Sequence, residues 1–534
     1  MFDPTLVHEW LTRSARRFPD KAAIVAGEKR LMYRDLEERA GRLATGLVSA
    51  GVRRHDGVVV FLDNSPESVV SLYGILKAGA AFVILNGAMK AKKLAYILND
   101  SGAAALIGDV WKARVIEEAV RESGRPFPIF WIGDSSSIPS GLSARSSTWE
   151  EALTGGSPER GSPLRVRSID QDLAALIYTS GSTGDPKGVM SSHHNMVSAA
   201  RSIIEYIGNA PDDIIVDVLP LSFDYGLYQV LMSVMFGGTV VLESFLFPVK
   251  VLQAIERERV TGFPLVPTMA AFLLRMQNLE KFDLSSLRYM TNTGAALPPE
   301  HIRRIRALFP DVKLFSMFGL TECKRTLYLS PEEVDRRPAS VGKAIPNCEV
   351  FILDEEGREV PAGEVGELVI RGSNVMRGYW NAPELTAKSY RPGRIPGERW
   401  LYSGDYFRKD EEGYLYFLGR KDDMIKCKGE RVSPKEVENV LCELDGVAEA
   451  AVVGVPDEIL GQAAVAFVVR SPGSAISGRD VLKHCAGRLE PYMVPKEVAF
   501  VAEMPKSPNG KIDKTALAHP TPVAGPGPAS TGGS

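Results

Sequence analysis

The stretch at residues 176–190, LIYTSGSTGDPKGVM, constrains what this chain can fold into more than any other. An apolar run at 173–178 feeds a loop of small and hydroxylated residues, which leaves through Asp185, Pro186, Lys187 and Gly188. That is a strand entering a turn suited to holding phosphate. Gly181, Gly184 and Gly188 permit positive φ and let backbone N–H groups come close to an anion. Thr179, Ser180, Ser182 and Thr183 add hydroxyl donors, and Lys187 adds a cation. A plain surface loop needs neither the buried-type strand before it nor the Pro-Lys-Gly exit after it. The spacing GxxxxGK[ST] is absent, so the turn is not a P-loop of that kind.

At 534 residues the chain is too long for one core, so two or more domains are expected. A hydrophobic share of 45% with 24% charged residues is that of an ordinary globular protein. The net charge of -3 argues against a general nucleic-acid binder. The most apolar stretch, 230–247, is interrupted by Ser233, Gly237, Gly238, Glu243 and Ser244, and reads as buried core, not a membrane span. The first ten residues lack a basic start followed by an apolar block, so no secretory signal is expected. Five scattered cysteines show neither metal spacing nor a disulfide framework, and a cytoplasmic location is expected. The adjacent pair His193 and His194 reads as structural or surface, since neighbours on a helix do not face one ion.

In chain order, residues 6–18 and 33–50 have helical periodicity. Residues 56–62, 65–78 and 80–85 alternate strand, helix and strand, which favours a parallel sheet. Residues 90–100 and 103–107 continue that alternation, and 135–163 reads as a loop excursion rich in Ser, Gly and Pro. Strands at 213–219, 287–291 and 312–317 each end in small or polar residues, which predicts one shared cleft at their carboxyl ends. From about 341, short strands separated by turns indicate a small β-rich subdomain to about 420. Helix and strand alternate again over 421–518, as in a compact α+β domain. Residues 519–534 are rich in Pro, Gly and Ser and read as a disordered tail. The chain therefore divides into a large α/β domain at 1–420 and a small α+β domain at 421–518.

Six segments occur in one order: TSGSTGDPKG at 179–188, FGLTE at 318–322, GELVIRG at 366–372, YSGDYFRKDEEGYLYFLGRKDD at 402–423, IKCKGERVSPKEVE at 425–438 and PKSPNGKIDK at 505–514. Together they resemble the adenylate-forming superfamily, which includes acyl-CoA synthetases, adenylation domains of nonribosomal peptide synthetases and firefly luciferase. The resemblance spans roughly residues 5–518. It implies stacked α/β sheets in a large N-terminal domain, followed by a mobile C-terminal domain. It also implies two steps. A carboxylate displaces pyrophosphate from ATP to give an acyl-adenylate, then a thiol displaces AMP to give a thioester. Joining two anions needs Mg²⁺, cations and backbone N–H groups, not an acid–base dyad.

By this resemblance the loop Thr179–Lys187 would hold the β- and γ-phosphates. Thr321 would touch the α-phosphate and Glu322 would help bind Mg²⁺. Phe318, where the family usually has Tyr, followed by Gly319, would stack on adenine. Gly294, Ala295 and Ala296 would line the adenine and acyl pocket. Asp405 would accept from the ribose hydroxyls, with Arg420 also reaching the ribose. Asp422 matches the hinge between domains and Arg431 a phosphate-binding arginine. Lys428 and Gly429 would approach the thiol donor in the second step. Lys511 would bridge the attacking carboxylate and the α-phosphate, stabilising charge that builds in the transition state.

The choice of acid and thiol divides the signals. SPKEVE at 433–438 and DDMIKCKG at 422–429 look like acyl-CoA synthetases, whereas NGKIDK at 509–514 looks like amino-acid adenylation domains. Phe223 stands where many acyl-CoA synthetases carry His, and Asp224 where adenylation domains bind the substrate amino group. Alternatively, Asp224 caps a helix starting at Tyr225. Met235, Phe236, Phe245, Phe247, Phe263 and Met269 are candidates for an apolar pocket or plain core. The preferred reading is an AMP-forming acyl-CoA synthetase using ATP, Mg²⁺ and CoA. The runner-up loads an amino acid or acyl group onto the phosphopantetheine of a carrier protein, which would act in trans. A luciferase-like oxygenase has little support, and a non-catalytic acyl- or nucleotide-binding relative is disfavoured by Lys187, Glu322, Asp405 and Lys511.

Overall fold

The computed structural model describes residues 3–142, 145–154, 166–179, 185–245, 247–427, 430–457, 459–506 and 511–518, with Arg431 described only in its backbone. Two largely parallel sheets dominate the first part. One has seven strands, in the order Ser146–Thr148, Ile129–Ile132, Ala105–Asp109, Gly57–Phe61, Ala81–Ile84, Leu173–Thr179 and Lys187–Ser192. The other has nine, and its six central strands run parallel. Alternation along the strands explains why both faces are covered. Val58 and Val60 pack in one apolar cluster while Val59 and Phe61 pack in another. All five residues of Gly57–Phe61 are buried, as a strand between two layers requires.

The helices Tyr33–Ser49, Pro66–Lys77, His193–Ile207 and Asp224–Phe236 join strands of both sheets in one apolar cluster, so they form the layer between them. Their ends are written locally. Ser65 closes a capping box with Ser68, and Pro66 takes the first helical position. Ser192 caps the helix containing His193 by accepting from the Asn195 amide, and Gly208 ends that helix at φ 76°.

Beyond these layers, Cys348–Leu353, Val365–Gly372, Tyr390–Pro392, Arg399–Lys409 and Leu415–Arg420 form a small sheet that is antiparallel throughout. The last sheet contains Ile425–Cys427, Glu430–Val432, Val447–Asp457, Gly461–Arg470 and Glu497–Phe500. Helices Pro434–Cys442 and Gly478–Ala486 pack in its apolar cluster. The mixed α/β class, a large first part, a β-rich sheet and a smaller α+β part therefore follow the sequence reading.

Three local expectations change. Gly188 lies in the strand Lys187–Ser192 and is absent from the residues with positive φ. Its lack of a side chain serves close approach, because a Cβ there would sit 3.0 Å from Cζ of Tyr178. The excursion at 135–163 is not all loop, since it contains the strand Ser146–Thr148 and the helix Trp149–Thr154. Asp224 is not a helix cap. The cap is Phe223, and Asp224 begins the helix with its carboxylate turned to Lys324.

His193 is buried and its Nδ1 accepts from the Val7 amide at 3.1 Å, whereas His194 is half-buried, in line with structural and surface roles. Burial lowers the His193 pKa to about 4. Four of the five cysteines are buried, and none forms a disulfide. No described helix is long and apolar enough to cross a membrane.

Candidate active site

The site forms where neighbouring parallel strands end. Strand Tyr289–Asn292 runs into Gly294, whose φ is 87°. Asn292 Nδ2 fixes this turn by donating to the Ala295 carbonyl at 3.0 Å. A Cβ on Gly294 would lie 3.3 Å from Phe223 Cζ and 3.6 Å from Lys511 Cε, so the glycine lets three segments meet. The adjacent strand Lys313–Phe318 leads into Gly319. There a Cβ would fall 1.7 Å from the Lys324 carbonyl oxygen, which leaves room only for glycine.

The turn beyond Gly319 carries Thr321 and Glu322, both half-buried. Glu322 Oε1 accepts from the Tyr379 hydroxyl at 2.7 Å, and its backbone carbonyl accepts from the Met376 amide at 2.8 Å. Phe318 meets Phe407 edge-on at 4.9 Å between ring centres and leans on Phe417 at 5.7 Å.

Asp405 lies in strand Arg399–Lys409, directly opposite Arg420 in register. It is 2% exposed, and Arg420 Nε stands 3.8 Å from its Oδ1. Burial pushes the Asp405 pKa up to about 7. Arg420 and Lys511 oppose that rise, and Glu322 adds to it. Lys511 comes from the other side of the cleft. The residue as a whole is exposed, but its ammonium lies 5.8 Å from the centre of the Phe223 ring. Desolvation at that inner end lowers its pKa, against the pull of Asp405, Glu322 and Asp224. A long side chain of this kind is wet along its stem and dry at its tip. The C-terminal part is also anchored there by Lys435, whose Nζ donates to the Ala296 carbonyl at 3.0 Å.

Thr179 and Lys187 pair directly across an antiparallel hairpin. The residues between them expected to hold phosphate, Ser180, Gly181, Ser182, Thr183 and Gly184, lie outside the described residues, as do Lys428 and Gly429. The far strand of the hairpin is tied to the Glu322 side. Trp380 N donates to the Gly188 carbonyl at 2.7 Å, Met190 N to Gly378 at 2.9 Å, and Val189 bridges to Tyr379. Strand Lys187–Ser192 and the carboxylate of Glu322 thus share one support, residues 376–380.

Phe223, Asp224, Gly294, Glu322, Asp405, Arg420 and Lys511 are therefore brought together. Asp422 sits apart in an exposed turn between the β-rich sheet and the last sheet. Arg431 lies in strand Glu430–Val432, opposite Lys426. Sequence reasoning missed Tyr379, although its RGYWN context follows GELVIRG by only a few residues. It also missed Lys324 and Arg325, two cations separated from Glu322 by Cys323, that are 1% and 5% exposed.

No group of three potential metal ligands occurs among the described residues. Glu322 fits Mg²⁺ in a restricted sense, as one carboxylate acting with oxygens of a bound triphosphate. Mg²⁺ commonly takes one or two protein carboxylates plus phosphates and water.

A cation from the C-terminal part set near a buried carboxylate and a half-buried one, at the ends of parallel strands, is an arrangement suited to an enzyme that handles a charged ligand. Residues 11–380 match the model of the AMP-binding enzyme family and residues 436–511 that of the AMP-binding enzyme C-terminal domain. The chain belongs to this family, and the resemblance to adenylate-forming enzymes holds. It is 36% identical over 508 residues to a feruloyl-CoA synthase of an Amycolatopsis species, covering 95% of this chain and 97% of that protein. It is 32% identical over 528 residues to a long-chain-fatty-acid–CoA ligase of Bacillus subtilis, covering 94% and 92%. Among solved structures, an anthranilate CoA ligase, AuaEII, in complex with anthranoyl-AMP superposes with a TM-score of 0.87 at 28% identity, covering 96% of this chain and 97% of that one.

Proposed function

We propose that the protein is an AMP-forming acid–CoA ligase. It joins a carboxylic acid to ATP and then passes the acyl group to the thiol of CoA. The observation that carries this reading is Lys511 beside Phe223 and Gly294, within electrostatic reach of Asp405 and Glu322. In the first step a carboxylate oxygen bonds to the α-phosphorus and the bond to pyrophosphate breaks. Lys511 offsets the negative charge that gathers between the two anions. Asp405, once ionised, accepts from the ribose hydroxyls, with Arg420 alongside. Phe318 and the 294–296 turn hold the base and the acyl group. Thr179, Lys187 and the intervening loop receive the pyrophosphate end, and Thr321 faces the α-phosphate. Glu322, oriented by Tyr379, would hold Mg²⁺, which supplies charge neutralisation to the triphosphate. Arg431 meets phosphate; in the second step the thiol sulfur bonds to the acyl carbon and AMP leaves, with Asp422 as the hinge and Lys428 and Gly429 approaching the thiol donor.

The domain boundaries at 420 and 518 belong to the same reading, as does a cytoplasmic location. A carrier-protein acceptor is the second reading. It draws less support because Asp224, the residue that would take an amino-acid ammonium, is already paired with Lys324. The test is pyrophosphate release from ATP with a panel of acids, followed by acyl transfer to CoA and, separately, to phosphopantetheinylated carrier proteins. Acid-dependent pyrophosphate release with acyl-CoA as product is expected. Transfer to a carrier but not to CoA would contradict the choice of acceptor.

A further inference from the structure

The turn that carries Thr321 and Glu322 continues into a buried charged cluster that the reaction above leaves unused. Lys324 Nζ stands 2.5 Å from Asp224 Oδ1, and both residues are almost completely enclosed. Lys324 also lies 5.4 Å from the centre of the Tyr228 ring. Arg325, the next residue, is 5% exposed and places its guanidinium carbon 4.5 Å from the centre of the Tyr225 ring. Arg325 Nε has no hydrogen-bond partner, and no carboxylate pairs with this guanidinium among the described residues. Of these two buried cations only Lys324 pairs with a carboxylate among the described residues, which leaves the Arg325 charge unmatched.

Burial of an unmatched charge is costly and persists only where something repays it. Asp217 is enclosed too, but it does not pair with Arg325: its Oδ1 accepts from the Leu219 amide at 3.1 Å and its Oδ2 has no hydrogen-bond partner. Burial raises its pKa, which disfavours the charged form. The unmatched guanidinium is contiguous with the acyl side of the site. The rings of Tyr225 and Phe223 meet edge-on at 6.3 Å, and the ammonium of Lys511 lies 5.8 Å from the centre of the Phe223 ring. Further buried polar atoms without partners lie on the neighbouring strand end, at Thr293 Oγ1 and Asn292 Oδ1. The first is a donor and an acceptor, and the second is an acceptor only.

Resting on the ligase reading, we propose that the acid substrate carries a second carboxylate, remote from the reacting one, which pairs with Arg325. A planar guanidinium presents two parallel N–H groups, matching the two oxygens of a carboxylate. Lys324 has a different part. It pairs with Oδ1 of Asp224 and so offsets that carboxylate's charge, leaving Arg325 as the cation without a carboxylate. The reacting carboxylate would lie at Lys511 and the second at Arg325, with the carbon skeleton against Phe223 and Tyr225.

The test uses matched acids with the full-length protein: suberate against octanoate and terephthalate against 4-methylbenzoate. ATP-dependent pyrophosphate release is measured for the wild type, Arg325→Leu and Arg325→Lys. The expected result is a wild-type preference for the diacid in at least one pair. Arg325→Leu should remove that preference through a rise in KM of about 10- to 100-fold, the scale of a charged hydrogen-bonded contact. Octanoate and 4-methylbenzoate turnover should be unchanged or improved. Arg325→Lys retains the charge without the fork, and should keep part of the preference even if the leucine variant fails to fold. Preference for the monoacids in the wild type, unaltered by Arg325→Lys or Arg325→Leu, would overturn the proposal while leaving the ligase reading intact. Absence of pyrophosphate release with every acid would overturn the ligase reading and this one with it.

Discussion

Single side chains set the conditions under which this site works, and Asp405 is the clearest case. Its pKa, about 7 in the folded chain against an ordinary 3.8, means that the folded state holds a proton the unfolded state releases between those values. The folded state therefore loses stability relative to the unfolded one as pH rises from about 4 to about 7. Replacing Asp405 by Asn removes this slope. The melting temperature of Asp405→Asn, relative to wild type, is expected to climb over that interval. With Asp405 in its proposed place at the ribose, nucleotide affinity should move the other way, since only an ionised carboxylate can accept from both ribose hydroxyls. The wild-type KM for ATP should fall as pH passes about 7, and the Asn variant should not share that change. The pair of Asp224 and Lys324 makes a second prediction. Lys324→Met strands a buried carboxylate and should destabilise the protein by about 3–5 kcal/mol in denaturant unfolding. Asp224→Leu combined with Lys324→Met should recover much of that loss.

At the scale of elements, the support running through residues 376–380 links two parts of the site that are remote in sequence. Tyr379 holds the Glu322 carboxylate while its neighbours bond to the strand that follows the phosphate loop. Tyr379→Phe keeps the ring and removes the hydroxyl. About a tenfold fall in pyrophosphate release is expected, the size typical of a lost orienting contact to a metal ligand, with partial rescue at high Mg²⁺. Unchanged Mg²⁺ dependence would mean that Glu322 needs no such support.

Elements differed in how plainly the sequence announced them. Gly57–Phe61 and the helix Tyr33–Ser49 follow from local pattern, because burial on two faces and helical amphipathy leave period signals. The strand that carries Asp405 was hidden. Ser403, Gly404 and Asp405 read as a turn, and Gly404 indeed takes φ 73° inside the strand, beside a shift in pairing register. Lys187–Ser192 was hidden likewise, because KGVMSS lacks the apolar content of its partner strand. The site residues Lys511, Asp405 and Glu322 were legible only through motifs, as nothing local brings them together. Lys324 and Arg325 were illegible, because adjacent cations after a glutamate look like ordinary solvated charge until the fold encloses them.

At the scale of the whole molecule, two folded units share one reaction site. The larger supplies strand ends, the turn with Glu322 and the strand with Asp405. The smaller supplies Lys511 and the Lys435 contact to Ala296. The proposed reaction assigns Lys511 to adenylation alone, so its loss should harm only that step. The most direct measurement is a comparison of the two half-reactions in Lys511→Ala. Pyrophosphate release from ATP and acid should fall by at least about 10²- to 10³-fold, as when a transition-state charge partner is removed. Thioester formation from CoA and preformed acyl-adenylate should remain within a few-fold of wild type. Equal loss in both half-reactions would contradict the assignment of Lys511 to adenylation alone.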